Sequence, residues 1–385
     1  MRRSVFTEEH EAFRQTIRDF LAKEVVPDFD EWLQDGIVPK ELYRKLGDLG
    51  YFGIEVPEEY GGAGVTSYKY QAVVQEEVAR AGVMLGSAGA HTALSLPYLL
   101  KFGSQEQKRR WMPGFVSGEI MTAIAMTEPG TGSDLAGIRT SAQLSDDGTH
   151  YLLNGAKTFI TGGIQADLVL VVCRTSPAPE DNRRLGLSIL CVDTTSEGYT
   201  VGRKLEKIGL RAQDTAELAF TDVKVPVENL LGEEGAAFAY LTHNLVQERL
   251  VAGVGGYATA KAAIRFATRY VKERTVFGKP VAAFQNTKFV LAECATEVEA
   301  VECMVDRALE AFDAGELTSA DAAKLKLFST EVAGRVIDKC LQLHGGYGYM
   351  LEYPIARLYT DTRVSRIYGG SSEIMKTIIA KDLGL

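Results

Sequence analysis

The chain has 385 residues, of which 46% are hydrophobic and 24% charged, and its formal net charge is −9. Such a length buries a large core and implies two or three domains or one multilayer subunit, and the ordinary composition belongs to soluble globular proteins. The acidic balance comes from mixed signs spread along the chain, which argues against a nucleic-acid footprint, and the longest purely apolar run, 168–173, is far too short for membrane insertion.

The N-terminal stretch "MRRSVFTEEHEAF" leads into an amphipathic helix rather than an apolar signal core, so a cytoplasmic location is expected. From Glu8 to Ser117 apolar residues recur at helical spacing: Phe13, Ile17, Phe20 and Leu21, then Leu42, Leu46 and Leu49, then Val73, Val74 and Val78. Residues 1–119 therefore form an N-terminal helical domain. Near Ile120 the pattern turns to short β-rich runs, "MTAIAMT" through "AELAFTDVKV", punctuated by Asp147-Gly148 and Asn154-Gly155. An antiparallel sheet built from hairpins is expected over 120–232. From 233 to 385 the helical period returns, with long segments at about 238–273, 283–314 and 318–343 and shorter ones near 355 and 373, which predicts a bundle. The expected fold is mostly α with a middle β domain.

The five cysteines (Cys173, Cys191, Cys294, Cys303 and Cys340) are odd in number, lie in apolar surroundings and include no C-x-x-C pair. They read as buried free thiols in a reducing compartment. The five histidines offer no H-x-x-x-H spacing, so no metal site is expected.

Five motifs bear on chemistry. "AMTEPGTGSDLAG" (125–137) crowds glycines and hydroxyls into a loop after a β run, which suits a heterocycle or a phosphate and equally an ordinary hairpin connection. In "NGAKTFITGG" (154–163), Phe159 and Thr161 project to one side and Ile160 to the other, giving an aromatic face beside a hydroxyl or simply a half-buried strand. "ERTVFGKPVAAFQ" (273–285) ends a helix near Arg274, which either pairs with a phosphate or faces the helix dipole. "LQLHGGYGYMLEYPI" (341–355) breaks a long helix with glycines, either as a cap or to let backbone approach something flat. "VSRIYGGSSEIMKTII" (364–379) places Gly369 and Gly370 before a helix starting near Ser371 or Ser372, a binding loop whose glycine pair cannot itself move a proton.

Taken together and in this order, "AMTEPGTGSDLAGIRT", "GRKLEKIGLRAQDTAEL", "QERL" and "QLHGGYGYMLEYPIA" followed by "IYGGSSEIMK" resemble the acyl-CoA dehydrogenase family over essentially the whole chain, and are most similar to its long-chain branch. The resemblance implies a helical N-terminal domain, a β-barrel-like middle domain and a C-terminal four-helix bundle, assembled as a homotetramer. It implies FAD as cofactor, acyl-CoA thioesters as substrates desaturated between the α and β carbons to trans-2-enoyl-CoA, and an electron-transfer flavoprotein as partner. FAD contacts would come from Ile124, Met126, Thr127, Gly132, Ser133, Phe159 and Thr161. Ser371 and Glu373 would add to them, and Arg274, Phe277, Gln285, Gln342, Gly345 and Gly346 would reach a neighbouring subunit's FAD. Substrate contacts would fall on Ser133, Arg249 and Gly370. At Val276 some relatives carry a Thr, so a hydroxyl contact is missing there.

Desaturation needs a carboxylate to take the α proton and donors to stabilise the developing enolate. Many relatives carry that Glu in an "IYEG" stretch; here it reads "IYGG", with Gly369 in its place. Glu373, in the first turn of the last helix, is one substitute. Glu248, in "LVQERLVAG", matches the position from which the long-chain and isovaleryl branches supply their base, although the residues alone favour a solvated helix face for it. The resemblance makes Glu248 the expected base and the Gly369 amide an enolate donor, the missing side chain at 369 leaving volume for a carboxylate from the bundle helix. Two other readings are an oxidase-like enzyme using O₂ and a flavin-free helical scaffold.

Overall fold

The structure, a computed structural model, describes residues 3–385, so Met1 and Arg2 of the N-terminal stretch lie outside it. Helices α1 (Glu8–Glu24), α2 (Phe29–Asp35), α3 (Lys40–Asp48), α4 (Lys69–Ala81), α5 (Ala88–Ala90), α6 (Leu96–Phe102) and α7 (Gln105–Ser117) make the N-terminal region, with a π-helical turn at His91–Ser95 between α5 and α6. The apolar positions read from the period do face the core: Ile17 and Leu21 of α1 pack with Leu42 and Leu46 of α3 and with Phe52 and Phe115. Starts and stops follow capping chemistry. Ser104 and Gln107 form a reciprocal box at the start of α7, and Gly82 ends α4 in the left-handed region (φ 73°).

Strands β1 (Thr122–Ala125), β2 (Ser141–Leu144), β3 (His150–Thr161), β4 (Leu168–Arg174), β5 (Leu187–Asp193), β6 (Tyr199–Lys204) and β7 (Thr215–Pro226) form one seven-stranded sheet, ordered β1-β4-β2-β3-β7-β6 with β5 on β4. It is not wholly antiparallel as expected: β1 runs parallel to β4 from Thr122–Leu168 to Ala125–Val171, and β2 touches β4 in parallel at Ser141–Arg174. Asp147-Gly148 does form the β2–β3 turn, with Gly148 N–H donating to the Ser145 carbonyl at 2.9 Å. Asn154-Gly155 does not turn the chain. It sits inside β3 at a bulge against β7, where a Cβ on Gly155 would stand 2.8 Å from Thr140 Cα.

Helix α8 (Ala237–Glu273) opens the C-terminal region, followed by the small hairpin β8 (Thr275–Val276) and β9 (Lys279–Pro280), then α9 (Gln285–Asp313), α10 (Ser319–Leu343), α11 (Pro354–Thr362) and α12 (Ser372–Asp382). α8 and α10 approach closely because Gly253 and Gly256 present no side chain: a Cβ on either would lie 2.7 Å from Leu325 Cγ or Ser329 Oγ. Ser329 Oγ instead donates to the Gly253 carbonyl at 2.6 Å. Four of the cysteines are buried, but Cys303 is exposed on α9, because it falls on the solvent side of a helix whose neighbours Glu302 and Val301 turn inward.

Candidate functional site

Glu248 does not lie on a solvated face. Its carboxyl is crowded between α8 and the N-terminal region, where the buried Tyr98 of α6 donates its hydroxyl to Glu248 Oε1 at 3.2 Å. Burial lifts the Glu248 pKa from 4.5 to about 7, against the smaller opposing pull of the Tyr98 hydrogen bond and of Arg249. Arg249 turns away, as expected for adjacent residues on a helix. It is buried, donates from Nη1 to Ser319 Oγ at 2.9 Å and leaves its Nε without an acceptor.

The glycine pair sits at the start of α12. Gly369 and Gly370 both have positive φ (62° and 95°), a region in which side chains are strained. A Cβ on Gly369 would meet only Lys326 Cε, at 3.7 Å, so the space beside it is open. Lys326 of α10 was not legible as a site residue. It is almost fully buried, donates Nζ to the Gly370 carbonyl, and has its pKa pushed down to about 8 by burial, with Arg249 adding repulsion. Ser371 caps α12 by accepting from the Ile374 N–H at 3.4 Å, and Glu373 is exposed in the first turn.

On the sheet, Ile124, Met126 and Thr127 are half-buried and Gly132 and Ser133 exposed. Phe159 keeps 68% of its surface exposed at φ 60°, next to buried Ile160, so its ring faces outward beside half-buried Thr161. The loop is pinned from below by Glu128. Its carboxylate accepts from the backbone N–H of Arg139 and of Thr140, both at 2.8 Å, and from Lys157 Nζ at 2.9 Å, while Lys157 also donates to the Met126 carbonyl at 3.0 Å. Neither Glu128 nor Lys157 stood out in the sequence. The only signal was a charged residue at a strand position whose neighbours read as buried.

The remaining candidates gather elsewhere. Arg274, Val276, His344, Gly345, Gly346 and Tyr347 border one open cavity of about 500 Å³ at the far end of α8. Arg274 lies over the Tyr347 ring at 5.5 Å, and Gln285 and Gln342 are exposed nearby along the chain. Phe277, at φ 49° in the β8–β9 turn, has 95% of its surface exposed. From Glu248 to Arg274 is 26 residues, or about 39 Å along a helix. Glu248 and Arg274 thus stand far apart along α8.

Consecutive segments of the chain match three family profiles: acyl-CoA dehydrogenase N-terminal domain (residues 7–119), middle domain (123–223) and C-terminal domain (235–384). The mitochondrial long-chain specific acyl-CoA dehydrogenase of Sus scrofa is 42% identical over 99% of this chain and 88% of its own. The crystal structure of an acyl-CoA dehydrogenase from Geobacillus kaustophilus superposes with a TM-score of 0.95 and 46% identity, covering both chains completely. An acyl-CoA dehydrogenase complexed with FAD from Bacillus anthracis superposes with a TM-score of 0.90 and 33% identity, covering 98% of this chain and 67% of that one.

Proposed function

This chain belongs to the acyl-CoA dehydrogenase family of oxidoreductases, and from that premise we propose that it desaturates fatty acyl-CoA thioesters, long-chain ones among them, between the α and β carbons. The observation that carries this reading is Glu248: a carboxyl crowded by protein, lifted to about 7 and held by Tyr98. A general base works best with a pKa near the working pH, and this one has been moved there from 4.5.

The sheet ledge fits a flavin dinucleotide. Phe159 offers an outward aromatic surface, Gly130 and Gly132 leave open space where a Cβ would stand, and the nearby carboxylate of Glu128 is engaged from within by Lys157 and two amides. Ile124, Met126, Thr127, Ser133 and Thr161 would hold the cofactor with Phe159, and Ser371 and Glu373 would meet it from α12. FAD supplies the acceptor for the β hydrogen and its electron pair.

Glu248 takes the α proton on its carboxylate. The Gly369 N–H donates to the thioester carbonyl, which acidifies that proton, and Lys326 fixes the glycine pair by holding the Gly370 carbonyl. Arg274, Gly345 and Gly346, which border the cavity at the far end of α8, would with Phe277, Gln285 and Gln342 serve a neighbouring subunit's flavin in a homotetramer, as the family resemblance implies. An electron-transfer flavoprotein then reoxidises the enzyme, in the cytoplasm. Anaerobic titration of the purified flavoprotein with acyl-CoAs of increasing length tests the reading. Bleaching of the flavin is expected, followed by slow reoxidation in air. A colourless protein, or one that no acyl-CoA bleaches, would refute it.

A further inference from the structure

Helices α9 and α10 are joined along one side by a ladder of ion pairs. Arg335 Nη2 lies 2.8 Å from Glu297 Oε2, and one turn further Lys339 Nζ lies 3.2 Å from Glu293 Oε2. Four residues back on α9 match four residues on along α10, so the two helices run antiparallel in a fixed register. The same step on their buried side leads from Val298 and Val336 to Cys294 and Cys340, all members of one apolar core. The register thus sets Cys294 across from Cys340, and the Cys340 thiol donates to Cys294 Sγ. The other buried cysteines have no such opposite: Cys173 and Cys191 belong to different cores on the two faces of the sheet.

The two sulfurs differ in character. The hydrogen bond from Cys340 brings the Cys294 pKa down, with burial opposing it and the Lys339 ammonium adding to it. Cys340 is pushed up by the same hydrogen bond and by burial. Because the thiolate is the nucleophile, Cys294 is the sulfur that attacks and Cys340 the one that resolves. Both side chains are buried, but only one layer deep. Ala292, Glu293 and Ala295 of α9 are exposed beside them, and the pair of Lys339 and Glu293 above them is a solvated ion pair, a kind that holds weakly.

We propose that Cys294 and Cys340 are a redox modification site, at which hydrogen peroxide joins them as a disulfide between α9 and the last turn of α10. The Cys294 sulfur attacks one peroxide oxygen: an S–O bond forms, the O–O bond breaks, and the departing hydroxide takes a proton to become water. Cys340 gives up its proton and attacks the Cys294 sulfur: the S–S bond forms, the S–O bond breaks, and a second water leaves. The two thiols lose two electrons and the peroxide gains them. The link closes one turn before His344, whose ring meets the Cys340 carbonyl at 2.8 Å and which borders the same cavity as Arg274 and Gly345.

The test treats the purified enzyme with a small molar excess of hydrogen peroxide, then denatures it and alkylates the remaining thiols. The untreated chain offers five cysteines. The treated chain should lose two of them to alkylation, peptide mapping should find Cys294 joined to Cys340, and dithiothreitol should restore both. Near-ultraviolet ellipticity retained through the treatment shows that the link forms in the folded protein. Cys294→Ser should form no link within the chain and should keep Cys340 open to alkylation. Oxidation confined to the exposed Cys303, a link to any other cysteine, or a link that appears only once the native ellipticity is lost overturns the proposal.

Discussion

Replacing Glu248 by Gln keeps the side chain's size and its hydrogen-bonding oxygen for Tyr98 while removing the base. With a pKa of about 7, the fraction of wild-type enzyme carrying the ionised base is about a tenth at pH 6, half at pH 7 and nine-tenths at pH 8. The rate of substrate-dependent flavin bleaching should follow that curve. Glu248→Gln should lose the pH dependence and bleach slower by about 10² to 10⁴, with bound flavin retained. Tyr98 stabilises the carboxylate, so Tyr98→Phe should move the midpoint upward. The same lift acts on stability with a definite sign. A carboxyl whose folded pKa is raised binds its proton more tightly when folded, so the penalty is absent below pH 4.5, grows up to about 7 and is complete above it. That penalty is of the order of 3 kcal/mol at most, and solvent reaching the half-buried side chain reduces it. Thermal denaturation should therefore show Glu248→Gln gaining on the wild type between pH 5 and pH 8. A variant that bleaches within about threefold of wild type, or gains no relative stability over that range, would refute the assignment.

Lys157→Met strands the buried Glu128 carboxylate, a loss of about 3–5 kcal/mol for a broken buried pair; the purified variant should carry less flavin per chain and melt earlier, as the ratio of visible to ultraviolet absorbance and a melting curve will show. Gly369→Glu placed on Glu248→Gln should restore bleaching to well above the single variant, since only Lys326 Cε lies within 4 Å of the new Cβ, minus about 1–2 kcal/mol for the positive φ; no recovery in stopped-flow bleaching would count against the open space. If Arg274 serves a neighbour's cofactor, an equal mixture of Glu248→Gln and Arg274→Ala chains, co-assembled, should regain about a quarter of wild-type sites, where each parent alone is impaired. A mixture no more active than its parents argues that each chain completes its own site.

The sequence's two periods made the three-part organisation legible, and capping chemistry located several helix ends. The parallel β1–β4 pair was not legible, because Thr122 and Leu168 are brought together by the closing of the sheet and no local alternation records which distant strands become neighbours. Asn154-Gly155 carried a turn signal that lost to the continuous β3–β7 ladder, which absorbs the pair as a bulge. Within the proposed site, the outward Phe159 ring and the exposed glycine-rich loop were readable, whereas the buried charges behind them were not. Glu128 and Lys157 are 29 residues apart and Lys326 sits in a run of helix-favouring residues, so each looked like an ordinary solvated charge until packing removed its water.

The absence of a carboxylate at position 369 becomes intelligible from the helices rather than from the loop. Glu248 precedes Gly253 by five residues on α8, and Lys326 precedes Ser329 by three on α10, so the proposed base and the clamp on the glycine pair ride on the two helices that are locked together where Ser329 Oγ reaches the Gly253 carbonyl. That contact is possible only because Gly253 and Gly256 let the backbones approach. A proton acceptor on the "IYGG" turn would depend on two adjacent residues in a left-handed conformation. On α8 its distance from the Gly369 amide is instead fixed by close helix packing, which holds a reacting group more tightly than a loop can. The space beside Gly369, where a Cβ would meet only Lys326 Cε at 3.7 Å, is compatible with a base proposed on α8 instead of on the turn.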